Sequence, residues 1–139
     1  MVRNIAAAIV GVIVSITLVQ SIEMLSHMIY PIPEDTDFSD AERVREFMST
    51  LPVGAILSIG VAWPIGAFGG TLVGAWIATA KPLIYAIIVG GIVLAGTVTM
   101  LILLPHPWWF TISAPLGVVV GAYLGMYIAT RLRGSPAPT

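Results

Sequence analysis

The chain has 139 residues, of which 58% are hydrophobic and 9% charged, and its formal net charge is −1. Soluble domains carry about 25% charged residues, so this composition is that of a membrane-embedded protein. The absence of cysteine excludes disulfides, thiolate metal sites and cysteine nucleophiles, and the small net charge argues against nucleic-acid binding.

Four apolar runs are long enough to cross a bilayer, which takes about 20 apolar residues per helix. They predict an all-α membrane protein, a four-transmembrane-helix bundle made of the single domain 1–139. The first run starts like a signal peptide, but its apolar character continues past Ser21, so we expect a retained span. The predicted spans are residues 4–28, 53–79, 83–104 and 108–132, followed by a disordered tail at 134–139.

Six of the seven acidic residues lie on one side of this four-span arrangement, together with only Arg43 and Arg45, and the other four basic residues lie on the opposite side. One side carries both termini and the loop between spans two and three, with Arg3, Lys81, Arg131 and Arg133. The first loop, on the other side, carries Glu34, Asp35, Asp37, Asp40, Glu42 and Glu46. By the positive-inside rule, we expect both termini to be cytoplasmic and the first loop to face outward.

The first loop is predicted to contain a short amphipathic helix at residues 40–50. Ser39 and Glu42 have the spacing of a capping box, with Ser39 as the N-cap. The apolar residues Val44, Phe47 and Met48 form one stripe. Such a helix lies on the membrane surface or covers the mouth of the bundle. A binding lid for a cation or a basic partner is the alternative.

Small residues spaced by four form ladders on three spans. They are Ala62, Gly66, Gly70, Gly74 and Ala78 in span two, Ser113, Gly117, Gly121, Gly125 and Ala129 in span four, and Ala7, Gly11 and Ser15 in span one. Such faces let helix backbones approach closely in lipid. We expect at least one ladder to pack within the chain, and the other is a candidate interface for a homo-oligomer.

The same step of four places Glu23 and His27 on the packed side of span one. Ionisable residues in spans are rare and usually face the bundle interior. His106, in the loop between spans three and four, lies on the same side of the membrane. Counted inward from the outer ends, one polar residue of each span lies at a common depth: Glu23, Ser58, Thr99 and Ser113. We predict that these six residues form a polar cluster near the outer mouth.

Three interpretations of this cluster compete. The leading one is a structural lock, in which Glu23 is protonated or paired with His27 and joins the helices. The second is a proton- or cation-coupled transport site based on Glu23. The third is a metal site of Glu23, His27 and His106, which suits zinc or a similar ion. We expect no metal and no other cofactor.

Two prolines lie inside predicted spans, Pro64 near the middle of span two and Pro115 in span four. Each removes an amide donor and favours a kink, which would open a pocket or act as a hinge. The alternative is that such kinks only fit neighbouring helices together.

The chain resembles uncharacterised small bacterial four-span integral membrane proteins. The residues that carry the resemblance are Glu23, His27, Tyr30-Pro31, Leu51-Pro52, Trp63, Gly66-Ala67-Phe68-Gly69-Gly70 and Pro105-His106-Pro107-Trp108. The resemblance implies a bacterial cytoplasmic (inner) membrane and no known activity. The likeness to small multidrug transporters is weaker, because Glu23 lies near the outer end of its span and the first loop is acidic.

Enzyme activity is not expected, because no nucleophile and base have a usable spacing and no nucleotide-binding loop is present. The sequence favours an integral membrane protein with a structural or accessory role, self-associating through its small-residue faces. The alternative is a small transporter that uses Glu23. Expected partners are membrane lipids and either a second copy or another membrane protein, and no nucleic acid.

Overall fold

The computed structural model describes residues 2–34, 39–79 and 81–134. This part of the chain forms five helices and no strand: α1 (Val2–Ile29), α2 (Ala41–Thr50), α3 (Val53–Ile77), α4 (Pro82–Leu103) and α5 (Trp108–Arg133). All except α2 are long and apolar enough to cross a membrane. The predicted all-α four-span bundle is therefore confirmed, and its helices fit an integral membrane protein.

Proline fixes several helix boundaries, because it cannot donate an amide hydrogen inside a helix. Pro52 and Pro107 are the N-caps of α3 and α5, and Pro82 occupies the first turn of α4. The helix α3 ends at Ile77, two residues before the predicted end of span two, because Ala78 is already extended. Residues 135–139 of the predicted tail lie outside the described residues.

The N-cap of α2 is Asp40, which corrects the predicted capping box on Ser39. The Asp40 backbone is extended, and one carboxylate oxygen accepts hydrogen bonds from the amides of Glu42 and Arg43 at 2.9 and 3.4 Å. Aspartate is as good an N-cap as serine, so the helix begins one residue later than the capping box requires. Asp35 and Asp37 of the acidic loop lie outside the described residues.

The helix α3 lies at the centre of the bundle, and its small-residue ladder packs against the ladder of α1. A Cβ built on Gly11 would lie 2.7 Å from the carbonyl oxygen of Gly70. One built on Gly74 would lie 3.1 Å from the carbonyl oxygen of Ala7. Gly66 lies against Ser15 in the same way, and the ladder residue Ala62 is fully buried. The backbones of α1 and α3 are thus in direct contact.

The ladder of α5 packs against a second face of α3. A Cβ built on Gly117 would lie 2.7 Å from the ring of Pro64, and one built on Gly121 would overlap the Pro64 carbonyl group. Gly125 makes the corresponding contact with Phe68. Ser113, the first residue of the predicted ladder, is instead exposed. Both long ladders therefore pack within one chain.

Both predicted hinge residues lie inside uninterrupted helices, Pro64 in α3 and Pro115 in α5. Pro64 fills the groove that Gly117 and Gly121 leave on α5. This contact agrees with the interpretation in which Pro64 serves to fit α3 against α5.

One end of the bundle, here named the arginine end, brings together the N-termini of α1 and α4 and the C-termini of α3 and α5. Arg3 donates to the carbonyl of Ile77 at 2.7 Å, and Arg133 donates to that of Ala75 at 3.0 Å. The Asn4 side chain accepts from the amide and the hydroxyl of Thr79. Carbonyl groups in the last turn of a helix have no partner within that helix. Arg3 and Arg133 supply donors to two such carbonyls of α3.

The helices α1 and α4 are in contact near the arginine end and separate toward the opposite end. The Tyr85 hydroxyl donates to the Asn4 carbonyl at 3.4 Å. One turn further along α4, Val89 is fully buried and lies against Gly11 and Gly70. Beyond this point a cavity lies between the two helices, at the end named here the cavity end.

Candidate functional site

The cavity at the cavity end has a volume of about 440 Å³, within the range of about 300 to 1,000 Å³ that is typical of ligand pockets. Residues of α1, α3 and α4 form its walls, and Phe47 and Met48 of α2 contribute from the first loop. Its polar lining residues are Ser15, Gln20, Glu23, Ser26, His27, Tyr30, Trp63, Thr97 and His106. The helix α5 contributes no lining residue among those described.

The cavity opens at the side of the bundle, between α1 and α4. Ile16 and Gln20 of α1 and Ile92 and Gly96 of α4 line it and are also exposed. The α1 and α4 walls of the cavity therefore extend to the outer surface of the bundle. Most of the remaining wall is aliphatic.

Glu23 is the acidic residue of the cavity wall and accepts a hydrogen bond from α3. The indole nitrogen of Trp63 donates to its carboxylate oxygen Oε1 over 3.2 Å. The Glu23 side chain is half-buried, and among the described residues it forms no ion pair. The carboxylate thus has one neutral donor from the protein and further acceptor capacity that the protein does not use.

A group of aromatic rings holds Trp63 in place. Phe110 of α5 is 1% exposed, and its ring meets that of Trp63 edge-on at a centroid distance of 5.9 Å. The Trp109 ring meets the Phe110 ring edge-on at a centroid distance of 5.8 Å, and the His106 ring stacks on the Phe110 ring at 4.9 Å. Edge-on and offset stacked rings attract one another, so α5 positions the indole that contacts Glu23.

The structure brings both predicted histidines to the same cavity as Glu23. His27 lies one turn after Glu23 on α1 and is exposed. The ring nitrogen Nδ1 of His106 lies 2.8 Å from the Leu104 carbonyl oxygen. A carbonyl oxygen only accepts, so Nδ1 carries the hydrogen, and Nε2 is the nitrogen that remains for another partner.

The predicted hydroxyl partners of this cluster do not line the cavity. Ser58 and Thr99 each donate to a carbonyl of their own helix, that of Gly54 and that of Ala95, both at 2.8 Å. Ser113 is exposed on α5. Equal depth placed these residues at one level, but it does not specify which side of each helix faces the cavity. That is the physical reason why only Glu23, His27 and His106 of the predicted cluster meet there.

Six polar residues that the predicted cluster omits also line the cavity: Ser15, Gln20, Ser26, Tyr30, Trp63 and Thr97. Ser15 belongs to the ladder of α1, so its position on the packed face was recognisable. Thr97 lies two residues before Thr99 on α4 and therefore on another side of the helix. No feature of the sequence distinguishes these two threonines.

A metal site is not formed by the weak candidates Glu23, His27 and His106. Over residues 2–34, 39–79 and 81–134, no three His, Asp or Glu side chains come together in a way that could hold a metal ion. Zinc requires at least three protein ligands, so the geometry gives the metal interpretation no support.

The cavity thus has a hydrogen-bonded carboxylate, mostly apolar walls and an opening at the side of the bundle. Such a site suits a molecule that has a hydrocarbon part and a cationic or hydrogen-bond-donating group. Comparison of the chain with protein-family models, curated proteins and solved structures gives no match.

Proposed function

We propose that this integral membrane protein binds an amphipathic amine in the cavity and acts as a small cation-coupled transporter that uses Glu23. The observation that carries the proposal is the Glu23 carboxylate, which lines the cavity and has Trp63 as its donor but no cationic partner among the described residues. A charged carboxylate among apolar walls is costly unless a positive group pairs with it. An ammonium group of the ligand fills that role.

The shape of the cavity supports an amphipathic ligand over a small inorganic cation. Its walls include aliphatic side chains such as Val19, Ile59 and Val93, which offer a cation no ligand atoms. A hydrocarbon chain packs against these side chains. The side opening between α1 and α4 lets such a molecule enter from the lipid phase with its apolar part still out of water.

Binding of decylamine to the protein in lipid nanodiscs tests the proposal, with Glu23→Gln as the decisive variant. Gln keeps an oxygen that accepts from the Trp63 indole but lacks the negative charge. We expect the variant to fold normally and to bind decylamine about tenfold more weakly or worse, because a charge-assisted hydrogen bond is lost. The matched control is Glu46→Gln, which removes a carboxylate from the exposed face of α2. Equal affinity of Glu23→Gln and the wild type would rule the site out.

Transport is tested separately, by release of decylamine from proteoliposomes under an imposed pH gradient. We expect flux above that of empty liposomes for the wild type and for Glu46→Gln, and flux no greater than that of empty liposomes for Glu23→Gln. Binding without flux would leave a binding protein and exclude the transporter.

A structural or accessory role is the second candidate, supported by the hydrogen bond that Trp63 donates to Glu23 across two helices. It differs from the first in its response to Glu23→Gln, which preserves this bond. As a lock, the residue tolerates Gln without loss of thermal stability or function. Association with a second copy of the chain, or with another membrane protein, remains part of this candidate. The two long ladders no longer argue for it, because both contact other helices of the same chain.

The membrane and the orientation complete the proposal. We place the protein in a bacterial cytoplasmic membrane with the arginine end toward the cytoplasm. The support is the charge distribution: Arg3, Lys81, Arg131 and Arg133 belong to that end, and the acidic first loop belongs to the cavity end. The cavity would then open toward the outer leaflet.

A further inference from the structure

One face of α1 points away from the bundle and has the residue spacing of an interface between two helices. Its residues recur at alternating steps of three and four, and all of them are exposed: Val10, Ile13, Thr17, Gln20, Met24 and His27. The buried residues of α1, among them Gly11 and Ser15, lie on the opposite side of the helix. Helices with this period pack in pairs at a shallow left-handed angle, in membranes as in coiled coils. We name this face the α1 seam.

Gln20 is the residue of the α1 seam that is least suited to lipid. Counted at about 1.5 Å per residue, it lies about 14 Å from the end of α1 at Ile29. A hydrocarbon layer is about 30 Å thick, so this position in a spanning helix is too deep for the side chain to reach water. The Gln20 amide forms no hydrogen bond to another described residue. An amide without a partner is costly in hydrocarbon.

The hydroxyl groups next to Gln20 do not share this problem. Thr17 and Ser21 donate to carbonyl oxygens of their own helix, at 2.8 and 2.7 Å, which is the usual way for a helical hydroxyl to be satisfied. A glutamine amide has two donors and an acceptor, and the backbone of α1 is already hydrogen-bonded. A partner for Gln20 therefore has to come from outside the described helices.

We propose that the α1 seam binds the α1 seam of a second copy, in a parallel homodimer. Copies inserted with the same topology have α1 in the same orientation, so equal residue numbers meet at equal depth. A two-fold axis between the two helices then places each Gln20 opposite the other. A carboxamide both donates and accepts, so the two groups satisfy each other through reciprocal hydrogen bonds.

The chemistry of the α1 seam favours a second copy over an unrelated membrane protein. The seam contains no Asp, Glu, Lys or Arg that would repel its equivalent across a two-fold axis. Ile13 and Met24 add apolar side chains on either side of Gln20, and a face that is its own complement requires no second sequence. The seam borders the side opening of the cavity, which Gln20 and His27 also line, but the inference does not depend on a bound amine.

Cross-linking of single cysteines in membranes locates the interface, since the natural chain has none. Ile13→Cys places a thiol on the α1 seam, and Val120→Cys places one on α5 as the matched control. The side chains that they replace are 56% and 54% exposed. Oxidation with copper phenanthroline should give a disulfide-linked dimer for Ile13→Cys, and for Val120→Cys no more than random collision produces. Equal cross-linking at both positions, or cross-linking at Val120→Cys alone, would overturn the proposal.

Energy transfer between labelled copies in liposomes, over a series of protein-to-lipid ratios, tests the role of Gln20. We expect Gln20→Leu to weaken dimerisation about tenfold, the effect of two interhelical hydrogen bonds of average strength in a membrane. The fold should be intact, because the residue is exposed. Ser21→Ala is the control, because its hydroxyl is bonded within α1. A wild type that stays monomeric at every ratio, or a Gln20→Leu protein that associates as tightly as the wild type, would refute the inference.

Discussion

Gly11 of α1 and Gly70 of α3 face each other so closely that a Cβ on either residue would collide with the carbonyl oxygen of the other. Contacts of this kind bring backbone Cα–H groups and carbonyl oxygens of neighbouring helices together. Since no hydrophobic gain drives helices together in lipid, we expect this direct backbone contact to stabilise the packing of α1 on the central helix, together with the side-chain hydrogen bonds between the two helices.

Gly70→Ala should destabilise the bundle by about 1 to 3 kcal/mol, because the added methyl group forces α1 and α3 apart. The matched control is Gly91→Ala on α4, where nothing lies within 4 Å of the added Cβ. That change should be neutral or stabilising, since alanine is the better helix former. Thermal unfolding in detergent, followed by circular dichroism, compares the two. Equal stability of both variants would contradict the contact.

Trp63→Phe should destabilise the protein by about 1 kcal/mol or more, because the donor to Glu23 is lost and a smaller aromatic ring replaces the buried indole. The phenyl ring can still pack edge-on against Phe110, as the indole does. Glu23→Gln, which keeps the acceptor, should unfold close to the wild-type temperature. A Trp63→Phe protein as stable as the wild type would show that the hydrogen bond has no role in joining α1 to α3.

Arg133→Gln should lower stability by about 1 kcal/mol, because the guanidinium group donates to the Ala75 carbonyl of another helix. Arg131→Gln removes the same charge two residues earlier. Arg131 contacts Tyr127 of its own helix, at 2.7 Å from the hydroxyl oxygen, so its loss should leave the bundle intact. Chemical unfolding measures the stability of both variants and so distinguishes loss of the contact between helices from loss of a positive charge. Equal destabilisation by the two substitutions would mean that the charge, and not the contact, is responsible.

Orientation is testable with single cysteines, because the natural chain has none. Ser49→Cys places a thiol on the exposed part of α2, and Gly134→Cys places one at the arginine end. In intact bacterial cells, a membrane-impermeant maleimide should label the first and not the second. The reverse pattern would place the termini outside and invert the proposed topology.

The four-span fold was predictable from the sequence because it depends on length and apolarity alone. Asp40 shows where such reasoning stops. Ser39 and Asp40 are both good N-caps, and neighbouring candidates of equal strength leave the helix start undefined by one residue.

The cavity was predictable only in part. The spacing of four placed Glu23 and His27 on the packed face of α1, and both line the cavity. The partner of Glu23 was not predicted, because Trp63 lies 40 residues further along the chain, on another helix. A tryptophan within an apolar span is also common and does not by itself indicate a hydrogen-bond donor to a carboxylate. Thr99 was chosen over Thr97 because depth along a helix is readable from sequence, whereas rotation about the helix axis requires its neighbours.

The contact of Arg133 with α3 has a consequence for how the protein is made. The C-terminal carbonyls of α3 are synthesised long before the arginine that caps one of them. Until α5 has been inserted, α3 lacks both this donor and the glycine face that covers Pro64. Chains that stop before the last helix should therefore lack both contacts, and the bundle should close around α3 only after α5 has been inserted.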